Sequence, residues 1–549
     1  MKKLLLFILF SLSAFSQQYK ITYIKSSNGK VIEHQVPILL FINTNKTIIT
    51  NKENLEKSAK FPFETVLINR NKTNEIINIA QLSKNKSIAT LDSISLNKQE
   101  FEFSSDTKQI LGYTCNKAKT VINSNHIEIW YTNNLGIYGS PTTLAQNLGL
   151  VLEINRNGNF VIQAQKIEKI KSMPILDKNF NFLDNLTYKD LLWKSRFTTI
   201  SIFDNETINF SDQSVSNDSI LTFANGTIIL RKIKFPKIKS ASQLFLNLTT
   251  QSNGDAYDRT GSVFLIPDDK QQSFLTALQN NIKSIPAYTN GNGKEYRGVV
   301  ATENYLPLLE LMRFFTPFGI NHYNYIELKD KKWHDKVFYR QDISDFGYTL
   351  NDKEFWIGVF IGNYDKGGHK VTANITIHNE DDLEGKNLNT IPVFNTTNIL
   401  EMAGQEYATM FNVEKGLDVV FTLEHPLKNT KLRYITTGHG GWENGDEFVP
   451  KLNTILLNEN IVFEFTPWRT DCGSYRLYNP ASGNFLNGLS SSDYSRSNWC
   501  PGTTTNPVYI NLGDLPSGTH KLQIKIPQGK PEGNSFSAWN VSGVMLGEK

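Results

Sequence analysis

Apolar and polar residues alternate along much of this chain, with the period of two that belongs to β-strands. His126-Ile127-Glu128-Ile129-Trp130-Tyr131-Thr132 alternates, and so does Lys521-Leu522-Gln523-Ile524-Lys525-Ile526. Asn157-Gly158 stands between the apolar stretches 151–154 and 160–164. That dipeptide supplies the positive φ angles of a two-residue hairpin turn, so a hairpin is expected there. Helical spacing is scarce. Residues 273–285 put Phe274, Leu275, Leu278 and Ile282 on one helical face. Residues 305–315 are apolar at almost every position, which suits a buried strand and a helix equally. The expected fold class is mainly β and antiparallel, built from sandwiches or barrels.

Interruptions in the pattern divide the chain. A charged run at 166–171 and a polar stretch at 177–190 precede a new series of strands from Thr198. A second break falls near 377–390, where 378–386 is poor in apolar residues. The expected domains are 17–190, 198–376 and 388–549. Before them, Lys2 and Lys3 lead into an apolar run from Leu4 to Phe15, closed by small residues at Ala14 and Ser16. This reads as a secretory signal, residues 1–16. The run is shorter than the roughly 20 residues a membrane-spanning helix needs, and no cysteine near the cut offers a lipid anchor. A secreted or periplasmic protein without a membrane anchor is expected.

Composition adds limits. Hydrophobic residues make up 39% and charged residues only 20% of 549, which excludes a disordered chain. The 57 Lys+Arg nearly balance the 53 Asp+Glu, and no basic run forms a phosphate-binding face, so no nucleic-acid partner is expected. Three cysteines are present. Cys472 and Cys500 lie in a loop-rich stretch of Gly, Ser, Asn and Pro. A bridge there would tie down a weakly cored loop, contributing about 2–4 kcal/mol. Cys115 is expected to be a small buried core residue.

The nine histidines are scattered without H-E-x-x-H or His-x-His spacing, so no metal is expected. Neither a G-x-S-x-G elbow, a P-loop nor a dinucleotide fingerprint occurs, and no cofactor is expected. Two acidic stretches stand out. Gly254-Asp255-Ala256-Tyr257-Asp258-Arg259 leads into the strand expected at 262–266. A carboxylate beside an arginine at a strand mouth stays ionised in one geometry, although Asp255 and Asp258 also suit a solvated turn. The second stretch is Gly438-His439-Gly440-Gly441-Trp442-Glu443-Asn444-Gly445-Asp446-Glu447, whose glycines allow close backbone approach to a ligand. Arg496 and Trp499 beside Cys500 offer a donor and a stacking face, and a core aromatic is an equal reading of Trp499.

Together these segments resemble the peptide:N-glycosidase F family of secreted bacterial amidases. The carrying motifs are Tyr257-Asp258-Arg259, Arg313-Phe314-Phe315-Thr316-Pro317-Phe318, Leu432-Arg433 before Gly438-His439-Gly440, Glu447 before Asn453-Thr454-Ile455, and Arg496-Ser497-Asn498-Trp499-Cys500-Pro501-Gly502. The resemblance implies two adjacent eight-stranded jelly rolls with the site between them, and a Cys472–Cys500 disulfide. Residues 17–190 resemble the GLPGLI family of exported proteins, and the extra N-terminal part resembles the bowl-like domain of the longer, type II branch of these amidases.

The resemblance implies hydrolysis of the amide between asparagine and the first N-acetylglucosamine in N-glycosylated proteins or peptides, by a monomer. Asp258 matches the primary catalytic aspartate and Glu447 a second essential acid that binds the inner sugars. Arg259, Arg496 and Trp499 match residues around the same cleft. A third acid of the family falls at Gly362, with Asp365 nearby as a conceivable replacement. Three family tryptophans are Tyr257, His439 and Tyr364 here. Loss of the acid at Gly362 implies room for a core α1,3-fucose. A glycan-binding adhesin without catalysis is the alternative, because jelly rolls commonly bind sugars and fold does not fix function.

Overall fold

The structure, a computed structural model, describes residues 17–70, 74–176, 180–323, 327–379, 385–440, 445–480, 490, 492–530 and 537–549. The expected signal at 1–16, all four acids of the second linker, and Gly441, Trp442, Glu443 and Asn444 lie outside the described residues. The chain divides into two compact units between Phe197 and Thr198.

The first unit is one 13-stranded sheet. Its first strand, Tyr19–Ser27, lies in the middle, paired antiparallel with Ile38–Ile42 on one side and Phe160–Lys169 on the other. Alternation sets its orientation: Tyr19, Ile21 and Tyr23 are buried and the residues between them are half-buried. The expected hairpin is present, with Leu150–Arg156 paired to Phe160–Lys169, but Arg156 pairs with Phe160, so its turn spans the three residues 157–159 and not two. Asn157 and Gly158 turn the chain with φ of 55° and 72°, the left-handed values that a tight hairpin turn demands. Cys115 is a free, buried residue of this unit's core, beside Tyr23, Leu150 and Leu152.

The second unit holds two sandwiches. In the first, a four-stranded sheet (Thr198–Ile208, His369–His378, Gln243–Ser252, Lys336–Asp342) faces a sheet ordered Leu221–Phe223, Ile228–Lys234, Glu354–Ile361, Thr260–Ile266, Leu309–Phe315. A sixth strand of that sheet, Thr504–Thr505, comes from the second half of the sequence. The second sandwich has four strands on each side. Leu388–Asn395, Ala538–Glu548, Leu427–His439 and Val508–Leu515 face Leu417–Leu423, Gly518–Lys525, Asn453–Leu457 and Asn460–Phe465. Each sandwich has its own core, such as Leu246, Val263 and Val359 in the first and Leu432, Ile455 and Leu522 in the second.

Leu309–Phe315 resolves the ambiguous apolar run as a strand, and every residue in it is buried. It lies at the joint of the sandwiches, which is why period two is invisible in it. Leu309, Leu311 and Phe314 join the first core, while Glu310 and Arg313 pair with each other at 2.7 Å and face the second sandwich. Arg313 donates to the Asn540 carbonyl, Thr437 Oγ1 and Thr397 Oγ1. Ser542 donates to Glu310, and Arg433 reaches back to the carbonyls of Glu310 and Leu311. A buried ion pair is tolerable when its remaining donors and acceptors are satisfied in this way.

The helix expected over 273–285 is shorter. Phe274–Gln279 is helical and Ile282–Ser284 is a 3₁₀ turn. Asn281 begins the turn by accepting from the Lys283 amide, a local bond that competes with helix continuation.

Candidate active site

The site lies where strand ends of the two sandwiches meet. Thr260–Ile266 starts there, and Leu309–Phe315 and Glu354–Ile361 end there because they run antiparallel to it. From the second sandwich, Leu427–His439 ends at the same place. The 254–259 loop is fixed by the residue that follows the strand end at Phe315: Thr316 Oγ1 accepts from the Arg259 amide at 2.8 Å, and the Thr316 amide donates to the Arg259 carbonyl at 2.9 Å. Gly319 is required beneath it, since a Cβ there would stand 2.2 Å from the Asp255 carbonyl oxygen.

Asp258 and Glu447 come together on one guanidinium. Arg496 Nη1 lies 3.3 Å from Asp258 Oδ2 and in direct contact with Glu447 Oε1. Arg496 is 2% exposed and the two carboxylates 16% and 17%. The loop carrying Glu447 is tied to the segment carrying Arg496: the Ser497 amide donates to the Glu447 carbonyl, and the Glu447 amide donates to Gly440. Two acids with one cation in a poorly hydrated place cannot both ionise freely. Burial pushes Glu447 up to about 7, with the Asp258 charge adding and Arg496 opposing. Burial also raises Asp258 above its ordinary value, against the pull of Arg496 and Arg259.

Trp499 does not offer an open stacking face. It is 4% exposed, stacked on Phe315 at 4.3 Å, with its Nε1–H donating to the Gly438 carbonyl. The Arg496 guanidinium lies 4.3 Å over its ring, so Trp499 supports the arginine from behind. His439 is half-buried beside Phe315 and Trp499, with Nε2 2.8 Å from Thr437 Oγ1. Burial pushes its pKa down to about 3, with the charges of Arg313 and Arg496 adding, so the ring is neutral at neutral pH.

Arg259 pairs with Asp255 and not with Asp258. Its Nε and Nη2 lie 2.7 and 3.0 Å from the two Asp255 oxygens. Asp255 is 1% exposed, so the solvated-turn reading fails for it. The Arg259 guanidinium stands between the rings of Tyr257 and Tyr364, at 5.4 and 5.6 Å. Both tyrosines are more than half exposed and provide the open aromatic surface of the site.

Gly362 follows the strand end beside this wall, its amide donating to the Thr260 carbonyl. Asp365, close to Gly362 in sequence, caps a turn with one carboxylate oxygen: Oδ1 accepts from the amides of Gly367 and Gly368 at 2.7 and 2.9 Å. Glu401 also touches this wall: its Oε2 accepts from the Tyr364 hydroxyl at 3.4 Å. Sequence reasoning missed it because it arrives from a loop of the second sandwich, with no motif of its own. Cys472 and Cys500 form a disulfide, which closes the segment that delivers Arg496.

Three family profiles match in order: the N-glycanase N-terminal domain of the F-II type over 21–190, the peptide-N-glycosidase F N-terminal profile over 199–377 and its C-terminal profile over 406–546. A search of curated proteins finds no match. Two solved structures, both described as PNGF-II, are similar along nearly the whole chain. The one in space group P21 is 56% identical with a TM-score of 0.91, covering 97% of this chain and 100% of that one. The one in space group C2 is 55% identical with a TM-score of 0.90, covering 97% and 98%. With two sandwiches, an arginine-bridged acid pair at their joint and this likeness from end to end, the chain belongs to the peptide-N-glycosidase F family, in its F-II type, a family of peptide-N4-(N-acetyl-β-glucosaminyl)asparagine amidases.

Proposed function

We propose that the chain hydrolyses the amide joining asparagine to the first N-acetylglucosamine of N-glycosylated proteins and peptides, with Asp258 activating the water and Glu447 placing the sugar. The observation that carries this reading is the pair of carboxylates on one guanidinium, both shielded from water and both resisting ionisation. Amide hydrolysis needs a positioned base, a donor for the carbonyl oxygen and a fixed scissile bond. Burial raises Asp258 above its ordinary value against the charges of Arg496 and Arg259, and a carboxylate made more basic in this way is suited to take a proton from water. Arg496 holds both acids, and a substrate carbonyl entering beside Asp258 meets its charge. Glu447 accepts from sugar hydroxyls and fixes the bond over Asp258. The products are an aspartyl peptide and a glycosylamine. Incubation with a glycopeptide, read by mass, tests the reading: the freed peptide is expected to carry aspartate at the former glycosylation site. Retained binding with asparagine left intact would instead identify a lectin.

Gly362 sets a finer preference. A Cβ at this position meets Phe360 Cζ at 3.2 Å and otherwise nothing closer than 3.7 Å, so the position leaves space and lacks charge. The reading is tolerance of a branch on the innermost sugar, such as a core α1,3-fucose. Gly362→Glu is expected to fold and to lose at least ~10-fold in kcat/KM on the fucosylated core, more than on the plain core, the range for steric exclusion from a pocket. Equal effects on the two substrates, measured in competition, would remove the assignment.

A further inference from the structure

Asp255 carries more structure than a turn residue needs. Both its oxygens are engaged by Arg259, and the Tyr257 amide donates to Oδ1 at 3.2 Å. Behind it lies His369, 1% exposed, with Nε2 3.3 Å from Asp255 Oδ2. The other ring nitrogen of His369, Nδ1, is buried and has no hydrogen-bond partner among the described residues, so Asp255 is the polar group this imidazole serves. A carboxylate in so dry a place is costly unless its partners satisfy it. Here the partners leave an arginine fixed in plane and in position.

The consequence appears at Arg259. An arginine near a surface samples many rotamers, whereas a two-point clamp by a carboxylate holds its plane. The clamp uses Nε and Nη2 and leaves Nη1 without a hydrogen bond among the described residues. It also stations the guanidinium between two exposed tyrosine rings, next in sequence to Asp258. We propose that Asp255, seated on His369, is a positioning residue that locks Arg259 between Tyr257 and Tyr364, so that the three side chains present one rigid surface to the sugars next to the scissile bond. Asp255 and His369 touch no substrate, and all their influence passes through Arg259.

This inference rests on the amidase reading for its kinetic test and is separable from it. Asp255→Asn, His369→Gln, Arg259→Gln and the double variant Asp255→Asn/Arg259→Gln are compared with the parent on one glycopeptide. Binding of free N,N′-diacetylchitobiose is titrated on the same proteins. Asp255→Asn is expected to lower kcat/KM by ~10–100-fold, mostly through KM, and to weaken chitobiose binding alike, the range for a lost charge-assisted clamp. In the Arg259→Gln background the same change is expected to cost less than ~2-fold, since residues acting through one another are not additive. A merely structural role would lower the melting temperature and add its full cost in either background, which overturns the proposal. So would parent-like KM and binding in Asp255→Asn. If Asp255→Asn does not fold, His369→Gln decides: a several-fold loss that vanishes without Arg259 supports the proposal, and parent-like behaviour ends it. A parent that binds chitobiose but never cleaves the glycopeptide refutes the amidase reading alone, and the binding series still decides this one. A parent that does neither refutes both.

Discussion

Asp258→Asn is expected to lower the rate of glycan release by roughly 10³-fold, within the range for loss of a positioned general base. Asparagine keeps the shape and a hydrogen-bonding oxygen but cannot take a proton from water. The variant should fold, because Asp258 shares Arg496 with Glu447 and is itself held in an environment that disfavours its charge. Removing a carboxylate that folding pushes toward its neutral form leaves the fold little to lose. Quantifying asparagine-to-aspartate conversion by mass, alongside thermal melting, checks both halves. A folded variant with more than about a tenth of the parent's rate would take the base role away from Asp258.

Glu447→Gln is expected to cost roughly 10²-fold in kcat/KM and to change the pH profile. An ionised carboxylate accepts sugar hydroxyls more strongly than a neutral one, so activity needs Glu447 deprotonated. With Glu447 at about 7, kcat/KM of the parent should fall as pH drops through 7. The apparent value belongs to the Asp258–Glu447–Arg496 cluster as a whole. In Glu447→Gln the part of this limb that belongs to Glu447 should disappear. Stability changes in the opposite sense. The folded-state pKa of Glu447 lies above the ordinary value of 4.5, so the folded protein binds this proton more tightly than the unfolded chain. The associated stability is fully present below pH 4.5 and is lost as pH rises through 7, an effect on the order of 3 kcal/mol. Denaturant unfolding at several pH values should show that slope in the parent and lose it in Glu447→Gln. An unchanged acid limb in the variant would show that another group governs the profile.

The two experiments separate roles that geometry has joined. Asp258 and Glu447 are far apart in sequence and meet only on Arg496, so either substitution leaves the other acid with a full claim on the guanidinium. A loss confined to KM in Glu447→Gln and to kcat in Asp258→Asn would match placement and base chemistry respectively.

Several parts of this molecule are legible in the sequence for simple reasons. Period two identifies strands such as Tyr19–Ser27 because one face is buried and the other is not. Asn157-Gly158 marks its hairpin because few residues accept positive φ in succession. The pattern goes silent where both faces are buried. In Leu309–Phe315 the polar residues Glu310 and Arg313 look like breaks in an apolar run, yet they face an equally buried partner across the joint. Trp499 shows the same limit, since the chain does not reveal whether an aromatic beside an arginine faces a ligand or lies beneath the arginine.

By itself, then, the sequence determined the strand-rich architecture, the tight turn and the residue types of the site, because these depend on spacing within short segments and on motif order. Only the tertiary structure decided the partnerships. Arg259 was bound to look like the partner of Asp258, its neighbour in the chain. Folding turns it to Asp255, four residues back, because the buried side chain there needs a cation and His369 waits behind it. Arg496 travels from the disulfide-closed segment to bridge two acids from different loops. Asp365, close to Gly362 in sequence, caps a turn with one carboxylate oxygen, while Glu401 reaches the same wall from the other sandwich. Charge pairing is settled by distance and desolvation in three dimensions, and neither is carried by position along the chain.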